Sequence, residues 1–299
     1  MKIKESLPDR IFLGIVYTLF ILLAIVCIYP FYYSIIISFN EGRDAMLGGI
    51  YFWPRAFTLE NYQIIFRDNM IIRAFGVTVV RTFVGTVASL AFNSIFAYAL
   101  SRKYLKFRTV YIYIGMFTMF FGGGIIPYFM LIQWLGLMNS FWVYIIPSLS
   151  GFFTILLFIA FYNELPQSIL ESARIDGANE LQIFARIVLP ISTAVLATVA
   201  LFAGVGHWNS WFDTHLFIRN MNLQTLQYVL VRMINQGLAE EQLRASGQLG
   251  AMGAVGESTV TSNSIRLATM IVAVVPIMLI YPFLQKYFIS GIMIGAVKG

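Results

Sequence analysis

Long apolar runs alternate with short polar segments along the chain, and this alternation predicts an all-α fold. A helix needs about 20 predominantly apolar residues to cross the hydrocarbon core of a bilayer. The sequence predicts six such spans, at Ile11–Phe39, Ile72–Leu100, Val110–Ile132, Phe141–Tyr162, Ile191–Phe212 and Ile265–Phe288. Several of these runs are longer than a perpendicular crossing requires, so tilted helices or protruding ends are expected.

Composition supports the same class of protein. The chain is 59% hydrophobic and only 11% charged, whereas soluble domains carry about 25% charged residues. Apolar side chains in this excess need a lipid solvent, so we expect a polytopic membrane protein with six transmembrane helices. The first run is too long for the apolar part of a signal peptide, which has roughly 7–15 residues. It is therefore predicted to be a retained first span.

The basic residues predict the orientation in the membrane. The loop Ser101–Arg108 carries four basic residues in eight positions and no acid, and such loops stay in the cytoplasm. We therefore expect a cytoplasmic N-terminus at residues 1–10, a transmembrane permease domain at 11–288 and a cytoplasmic tail at 289–299. The formal charge of +6 does not indicate nucleic-acid binding, because the basic residues are dispersed among the spans.

Residue types that carry chemistry are scarce. Cys27 has no second cysteine to pair with, and two histidines are too few to suggest a metal site. The chain has no phosphate-binding loop of the G-x-x-x-x-G-K-[ST] type. Gly122–Gly124 is followed by Ile-Ile-Pro instead, which predicts close packing or a local break in the third span. We expect no catalytic residue, no metal and no cofactor bound by this chain.

Two segments outside the spans carry local signals. Thr58 is expected to cap a short helix whose first turn contains Glu60. Residues 236–263 are rich in Gly, Ser and Glu without a strong period, and are expected to form an exposed loop.

The polar segment 163–190 predicts two short helices on the cytoplasmic side. Pro166 suits a helix start, and Gly177 can take the left-handed conformation that ends a helix. Asn179 can cap the second helix, with Gln182 as its capping-box partner. Such an element can dock into a groove on a soluble partner. An ordinary interfacial helix between two spans remains the alternative.

The sequence of this segment, ESARIDGANELQIFARIVLP, resembles the EAA motif of permeases in ATP-binding-cassette (ABC) importers. The residues that fall on the motif are Glu171, Ala173, Asp176, Gly177, Ala178, Ile187, Leu189 and Pro190. Ser172 departs from the usual alanine, which is a small-for-small change. Other segments that resemble the carbohydrate-uptake branch are WPRAFTLENYQIIF, AYALSRKYLKFR, FGGGIIPYFMLIQWLGLMNSFWV, GHWNSWFD and FLQKYFISGIMIGAVKG. The resemblance covers nearly the whole chain. More narrowly, the chain resembles the LplC- and YtcP-like subgroup.

The resemblance implies a fold, a mechanism and partners. The fold would be the six-helix MetI-like core of maltose-transporter permeases, in the bacterial cytoplasmic membrane, with both termini cytoplasmic. The cargo would be an oligosaccharide, with acidic or uronate-containing ones included. Segment 163–190 would dock into a cleft of an ATPase subunit. The residues expected to couple to that subunit are Glu171, Ser172, Ala173, Asp176, Gly177, Ala178, Phe184 and Pro190. The expected partners are a second homologous permease subunit in a heterodimer, an ATPase dimer that binds ATP and Mg, an extracellular solute-binding protein and membrane lipid.

Polar and aromatic side chains inside the spans are candidates for the substrate pathway, because polar groups at membrane depth are costly and often functional. The candidates are Arg81, Asn93, His207, Trp208, Asn209, Trp211 and Asp213. Aromatic rings stack on sugar rings, while Asn and Asp bond hydroxyl groups. An aromatic belt at the membrane interface is the alternative for the tryptophans. Pairing with an acid or with carbonyl groups inside the bundle is the alternative for Arg81.

Other classes of function stay open on the residues alone. An ion-coupled secondary transporter would normally carry acids inside its spans, and the spans lack them apart from Asp213 near an edge. A membrane enzyme would need convergent acid, base or metal groups. An ABC permease for a non-sugar solute is the third alternative.

Overall fold

The computed structural model describes residues 7–245 and 260–296, and these form helices joined by turns. In chain order the α-helices are α1 (Leu7–Ser38), α2 (Gly42–Met46), α3 (Glu60–Arg67), α4 (Asn69–Ser101), α5 (Arg108–Phe120), α6 (Ile125–Trp134), α7 (Phe152–Glu164), α8 (Gln167–Ile175), α9 (Glu180–Ile183), α10 (Leu189–Ile191), α11 (Thr193–Asn209), α12 (Phe212–Phe217), α13 (Leu226–Ala245) and α14 (Ser262–Ala296). Short 3-10 turns occupy Phe141–Tyr144, Ile146–Ser148 and Met221–Leu223, and a π-helical turn occupies Phe184–Val188. The all-α class is confirmed.

Six membrane spans account for the long apolar helices. Three are continuous, namely α1, α4 and the Ser262–Ile280 part of α14. Three more are pairs of helical segments with a bend between them, α5 with α6, Phe141–Ser148 with α7, and Glu180–Ile191 with α11. These positions match the six predicted runs.

The third span contains the sharpest bend. Its two halves, α5 and α6, meet at an angle of 115°, and Gly124 between them has a φ of +83°. Among the described residues, no heavy atom lies within 4 Å of a Cβ built on Gly122 or Gly124. The glycines therefore provide the break that the sequence predicts rather than close helix packing, because only glycine takes such a φ at low cost.

Two boundaries differ from the sequence prediction. The fifth span was expected at Ile191–Phe212, but its helical backbone begins at Glu180 and bends by 82° before Thr193. The expectation of a loop over 236–263 is wrong for its first ten residues and its last two, because α13 continues to Ala245 and α14 begins at Ser262. Good helix formers such as Leu238 and Ala239 outweigh the single Gly237 there. Residues 246–259 of that predicted loop lie outside the described residues.

The chain divides into two compact units, each described here by itself. The first consists of the described residues up to Asp68 together with those between Arg232 and Val274. In it, Ile36, Ile37 and Ile50 form a small buried cluster. Most of α1 is exposed, with only Ser34, Ile36, Ile37 and Ser38 buried, which is the expected state of an apolar helix surrounded by lipid.

Buried asparagines organise the turn that follows α1. The side-chain amide of Asn61 donates to the carbonyls of Ser38 and Asn40, at 2.9 and 3.0 Å. Asn40 Oδ1 in turn accepts the N–H of Ala56 at 2.9 Å. The Thr58 hydroxyl accepts the Glu60 N–H at 3.1 Å. The N-cap of α3 is Leu59, whose side chain makes no cap hydrogen bond, so the cap lies one residue later than predicted.

The second unit consists of residues 69–231 with the described part of α14 beyond Val274. Its central helix is α4, which packs along both α7 and α11. One buried cluster surrounds Phe158 and Tyr162, and another surrounds Tyr144 and Phe217. These clusters position the two candidate sites described next.

Candidate functional site

The polar segment between the fourth and fifth spans forms the predicted pair of short helices, α8 and α9, called here the coupling pair. At the end of α8, the N–H of Ala178 bonds the carbonyl of Ala173 and the N–H of Gly177 bonds the carbonyl of Arg174, both at 3.0 Å. Gly177 has a φ of +82°. This is the Schellman arrangement that ends a helix on a left-handed glycine, so the role predicted for Gly177 in the turn is confirmed.

The second helix of the coupling pair begins with the predicted capping box. Asn179 Oδ1 accepts the N–H of Gln182, and Gln182 Oε1 accepts the N–H of Asn179, both at 2.9 Å. Pro166 lies immediately before α8, at its N-cap. Helix α9 continues directly into the π-helical turn and α10, and these reciprocal bonds hold the first turn of that segment in a defined position.

The residues expected to couple to an ATPase separate into an exposed group and a buried group. Glu171, Ser172, Asp176, Gly177 and Pro190 are exposed. Ala173 and Phe184 are buried in the cluster around Phe158, and Ala178 is packed against it. The buried residues anchor the coupling pair to the helix bundle, and the exposed ones remain accessible to a partner.

Two exposed apolar side chains flank the turn of the coupling pair. Ile175 is 86% exposed and Leu181 is 70% exposed. The sequence does not distinguish either residue, because an apolar residue in a short helix usually belongs to the core. Both side chains are therefore available to be buried by a protein partner.

A polar network joins the coupling pair to the end of α4. The Tyr98 hydroxyl donates to Glu180 Oε2 at 2.6 Å, and Arg174 Nε donates to Glu180 Oε1 at 2.9 Å. The hydrogen bond to Glu180 raises the pKa of Arg174 further above its ordinary value. Arg174 also lies over the ring of Tyr104, 5.4 Å from its centroid. No motif or spacing in the sequence indicates Tyr98, which is 82 residues away from Glu180.

The second candidate site lies farther along α4, where Arg81 is only 2% exposed. Its Nη1 donates to the carbonyl of Ser210 at 3.1 Å and to Asp213 Oδ1 at 3.2 Å, and its Nη2 bonds Asp213 Oδ2. Its guanidinium carbon lies 4.4 Å from the centroid of the Tyr144 ring. Two of the predicted pathway residues, Arg81 and Asp213, are thus bonded to each other.

Asn93 holds the break between the two segments of the fourth span. Its Nδ2 donates to the carbonyl of Leu149 at 2.8 Å and to that of Ser89 at 2.7 Å. Its Oδ1 accepts the N–H of Gly151 at 3.2 Å. The bonds to Leu149 and Gly151 satisfy backbone groups at the bend, and Asn93 is fully buried.

The remaining candidates, all in the tract 207–213, divide by exposure. His207 and Trp208 are buried. The ring of His207 lies directly against Gly85 of α4, and Trp208 meets Phe75 edge to face with centroids 5.9 Å apart. Asn209 is exposed and Trp211 is 37% exposed. Only these last two present much surface to a passing solute.

The helical architecture and the exposed coupling pair define a polytopic membrane permease. Comparison with known proteins gives the family. The chain is 34% identical over 294 residues to the polygalacturonan/rhamnogalacturonan transport system permease protein YtcP of Bacillus subtilis, covering 98% of this chain and 100% of that protein. It is 36% identical over 274 residues to protein LplC of the same organism, covering 92% and 90% of the two chains. The chain therefore belongs to the family of carbohydrate-transport permeases of ABC importers.

Solved structures agree with this assignment. A chain of a bacterial ABC transporter involved in the import of the acidic polysaccharide alginate superposes with a TM-score of 0.85 at 28% identity, covering 96% of this chain and 100% of that one. A bacterial alginate ABC transporter in complex with an alginate pentasaccharide-bound periplasmic protein shares the fold, with a TM-score of 0.56 at 16% identity. No family model matches the chain. The protein is a multi-pass permease of the cytoplasmic membrane and not an enzyme.

Proposed function

We propose that this chain is one of two permease subunits of an ATP-driven importer. We propose further that a nucleotide-hydrolysing subunit binds its coupling pair. The observation that carries the proposal is the combination of a rigid, doubly capped turn with the exposed side chains of Ile175 and Leu181. A soluble partner with an apolar groove would bury both side chains, and Glu171 and Asp176 would supply charged contacts at its rim. ATP and Mg would bind to that partner.

The same network supports the orientation that we propose for the chain in the membrane. The basic loop after α4 and the coupling pair lie on one side of the bundle, because Arg174 lies over the ring of Tyr104. The positive-inside rule assigns that side to the cytoplasm. Both termini are then cytoplasmic, residues 11–288 form the transmembrane domain, and the coupling loop 163–190 faces the ATPase.

The cargo we propose is an oligosaccharide from an acidic polysaccharide. YtcP is named for polygalacturonan and rhamnogalacturonan, and one similar structure belongs to an importer of acidic alginate. Since the charge of Arg81 is already paired with Asp213, we assign Arg81, Asp213 and Asn93 to holding the bundle together. Asn209 and Trp211 are the residues that we assign to sugar contact, with His207 and Trp208 packed behind them.

The complete importer would contain further subunits. We propose a heterodimer of this chain with a second homologous permease, an ATPase dimer and an extracellular solute-binding protein. The periplasmic protein in the related alginate transporter complex supports the last of these partners.

Purification of this chain with co-expressed subunits tests the coupling site. Ile175→Asp should abolish retention of the ATPase subunit, because a charge would enter an apolar groove. Leu47→Asp is the matched control, since Leu47 is 80% exposed but lies outside the coupling pair. Retention of the ATPase by Ile175→Asp would contradict the proposed docking site.

Uptake into proteoliposomes tests energy source and cargo. An ABC importer should accumulate acidic oligosaccharides only with internal ATP, and should be insensitive to ionophores that dissipate proton and sodium gradients. Trp211→Ala should reduce uptake, whereas Trp142→Ala should not if Trp142 is only an interfacial residue. Ionophore-sensitive uptake without ATP would favour a secondary transporter instead.

A further inference from the structure

Tyr98 occupies a fixed position near the cytoplasmic end of α4. The guanidinium carbon of Arg102 lies 4.5 Å from the centroid of its ring. The rings of Phe184 and Tyr162 lie on other sides, with centroid distances of 5.1 and 6.3 Å. Tyr98 is only 7% exposed, so these neighbours restrict the direction in which its hydroxyl points.

That direction is toward the coupling pair. The Tyr98 hydroxyl donates to Glu180 at the start of α9 at 2.6 Å, and the other oxygen of Glu180 accepts from Arg174 at the end of α8 at 2.9 Å. Both helices of the coupling pair therefore meet at one carboxylate. Tyr98 connects that carboxylate to α4.

The apolar contacts between the coupling pair and the bundle cannot fix the orientation of the pair by themselves. Ala173 and Phe184 are buried in the bundle and resist separation from it. Burial of apolar surface is non-directional, so it leaves the pair able to pivot or slide. A hydrogen bond to an ionised carboxylate is short and directional, and it fixes the orientation of the coupling pair against α4.

Helix α4 is suited to carry a displacement over a long distance. It runs for 33 residues without a break, which corresponds to about 50 Å. Roughly 25 Å from Tyr98 along the axis, Arg81 bonds the carboxylate of Asp213 on α12. A movement imposed at Tyr98 would therefore reach the segments around Asp213 through one continuous element.

We infer that Tyr98 and Glu180 are positioning residues that fasten the coupling pair to α4, so that the pair and α4 move as one body during transport. The inference rests on the proposed function, because it assumes that an ATPase subunit moves the coupling pair. It adds the residues through which that movement enters the transmembrane helices.

The experiment compares uptake per ATP hydrolysed in the full reconstituted importer. Tyr98→Phe keeps the ring, its packing and the contact with Arg102 but removes the hydroxyl. It should lower uptake per ATP by roughly tenfold or more, since tenfold is the lower end of the effect of one hydrogen bond to a charged group. The complex should still assemble, because the exposed face of the coupling pair is unchanged.

Tyr162→Phe is the matched control. Tyr162 is fully buried in the same cluster, and within the described residues its hydroxyl has no hydrogen-bond partner. Removing that hydroxyl should leave uptake per ATP unchanged. An equal loss in both variants would mean that the cluster responds to any lost hydroxyl, and would overturn the inference.

Glu180 provides a rescue test. Glu180→Gln keeps an oxygen that accepts the Tyr98 hydroxyl and should retain more uptake per ATP than Glu180→Ala. Combining Glu180→Ala with Tyr98→Phe should cost no more than Glu180→Ala alone, since both remove the same bond. Additive losses would overturn the inference.

Failure of the inference is distinguishable from failure of the proposed function. If the unaltered complex shows ATP-driven uptake while Tyr98→Phe equals it in uptake per ATP, then the fastening role is wrong and the function stands. If the unaltered chain retains no ATPase subunit and shows no ATP-driven uptake, then the proposed function itself is wrong, and this inference falls with it.

Discussion

The guanidinium of Arg81 on α4 is bonded to the carboxylate of Asp213 on α12, two groups separated by 132 residues of sequence. The side chain of Arg81 is almost fully buried, whereas that of Asp213 keeps 22% of its surface exposed. The ring of Tyr144 covers the guanidinium. The pair therefore joins the second span to α12, the short helix after the fifth span, and leaves no free positive charge at Arg81 for an acidic solute.

Breaking this pair should destabilise the bundle. Arg81→Met leaves Asp213 without its cation, and removal of one partner of a buried pair costs about 3–5 kcal/mol. The double variant Arg81→Met with Asp213→Leu should recover much of that loss, because no unpaired charge remains. Thermal unfolding in detergent measures both. A double variant less stable than either single one would contradict this reading of the pair.

Gly85 should tolerate no side chain. A Cβ there would lie 2.4 Å from Nε2 of His207, and overpacking of this kind costs about 1–3 kcal/mol. Gly85→Ala should therefore lower the unfolding temperature. Gly76→Ala on the same helix is the control, because no described atom lies within 4 Å of its added Cβ. The control should be neutral or slightly stabilising, since alanine favours a helix by about 1 kcal/mol over glycine.

Gly177 should be sensitive through its backbone. Its φ of +82° costs an L-residue about 1–2 kcal/mol, and a β-branched side chain suffers most. Gly177→Val should lower ATP-driven uptake while the protein stays in the membrane, and Gly177→Asn should be the mildest replacement because asparagine tolerates this conformation. Uptake in proteoliposomes gives the ranking. Equal uptake by the Val and Asn variants would show that the left-handed turn is not required.

The turn after α1 should loosen in acid. Hydrogen bonds from Arg55 and Asn40 hold the pKa of Asp44 below its ordinary value of 3.8. This contribution to stability is present above that value and is lost as the pH falls through the lower pKa of the folded state. Digestion with pepsin, which acts in acid, should cut residues 41–56 faster as the pH falls below 3.8. Asp44→Asn should flatten that pH dependence.

Local features of this chain could be predicted from the sequence. Asn179 and Gln182 are three residues apart, and Gly177 needs only its own backbone to end α8, so short-range chemistry determines all three. The six apolar runs follow from length and composition. The bond between Tyr98 and Glu180 could not be predicted in this way, because it depends on how α4 packs against a segment 82 residues later. The sequence left pairing of Arg81 with an acid open as an alternative, but the choice of Asp213 depends on packing between segments 132 residues apart.

The prediction for residues 236–245 failed for a physical reason as well. A single glycine and several polar side chains suggested a loop, but the polar residues there are good helix formers. Continuation from the preceding helical turns removes the cost of nucleation. Composition alone could not distinguish a polar helix from a polar loop.

The elbow between α5 and α6 restricts what can surround it. Helix α5 has 13 residues and advances only about 20 Å, so a chain rising from the basic loop reaches Gly122–Gly124 before it has crossed a hydrocarbon layer about 30 Å thick. The last carbonyls of α5 and the first amides of α6 lack helical partners at that depth. Lipid tails cannot form hydrogen bonds with these carbonyls and amides, so this corner must adjoin water or another polypeptide.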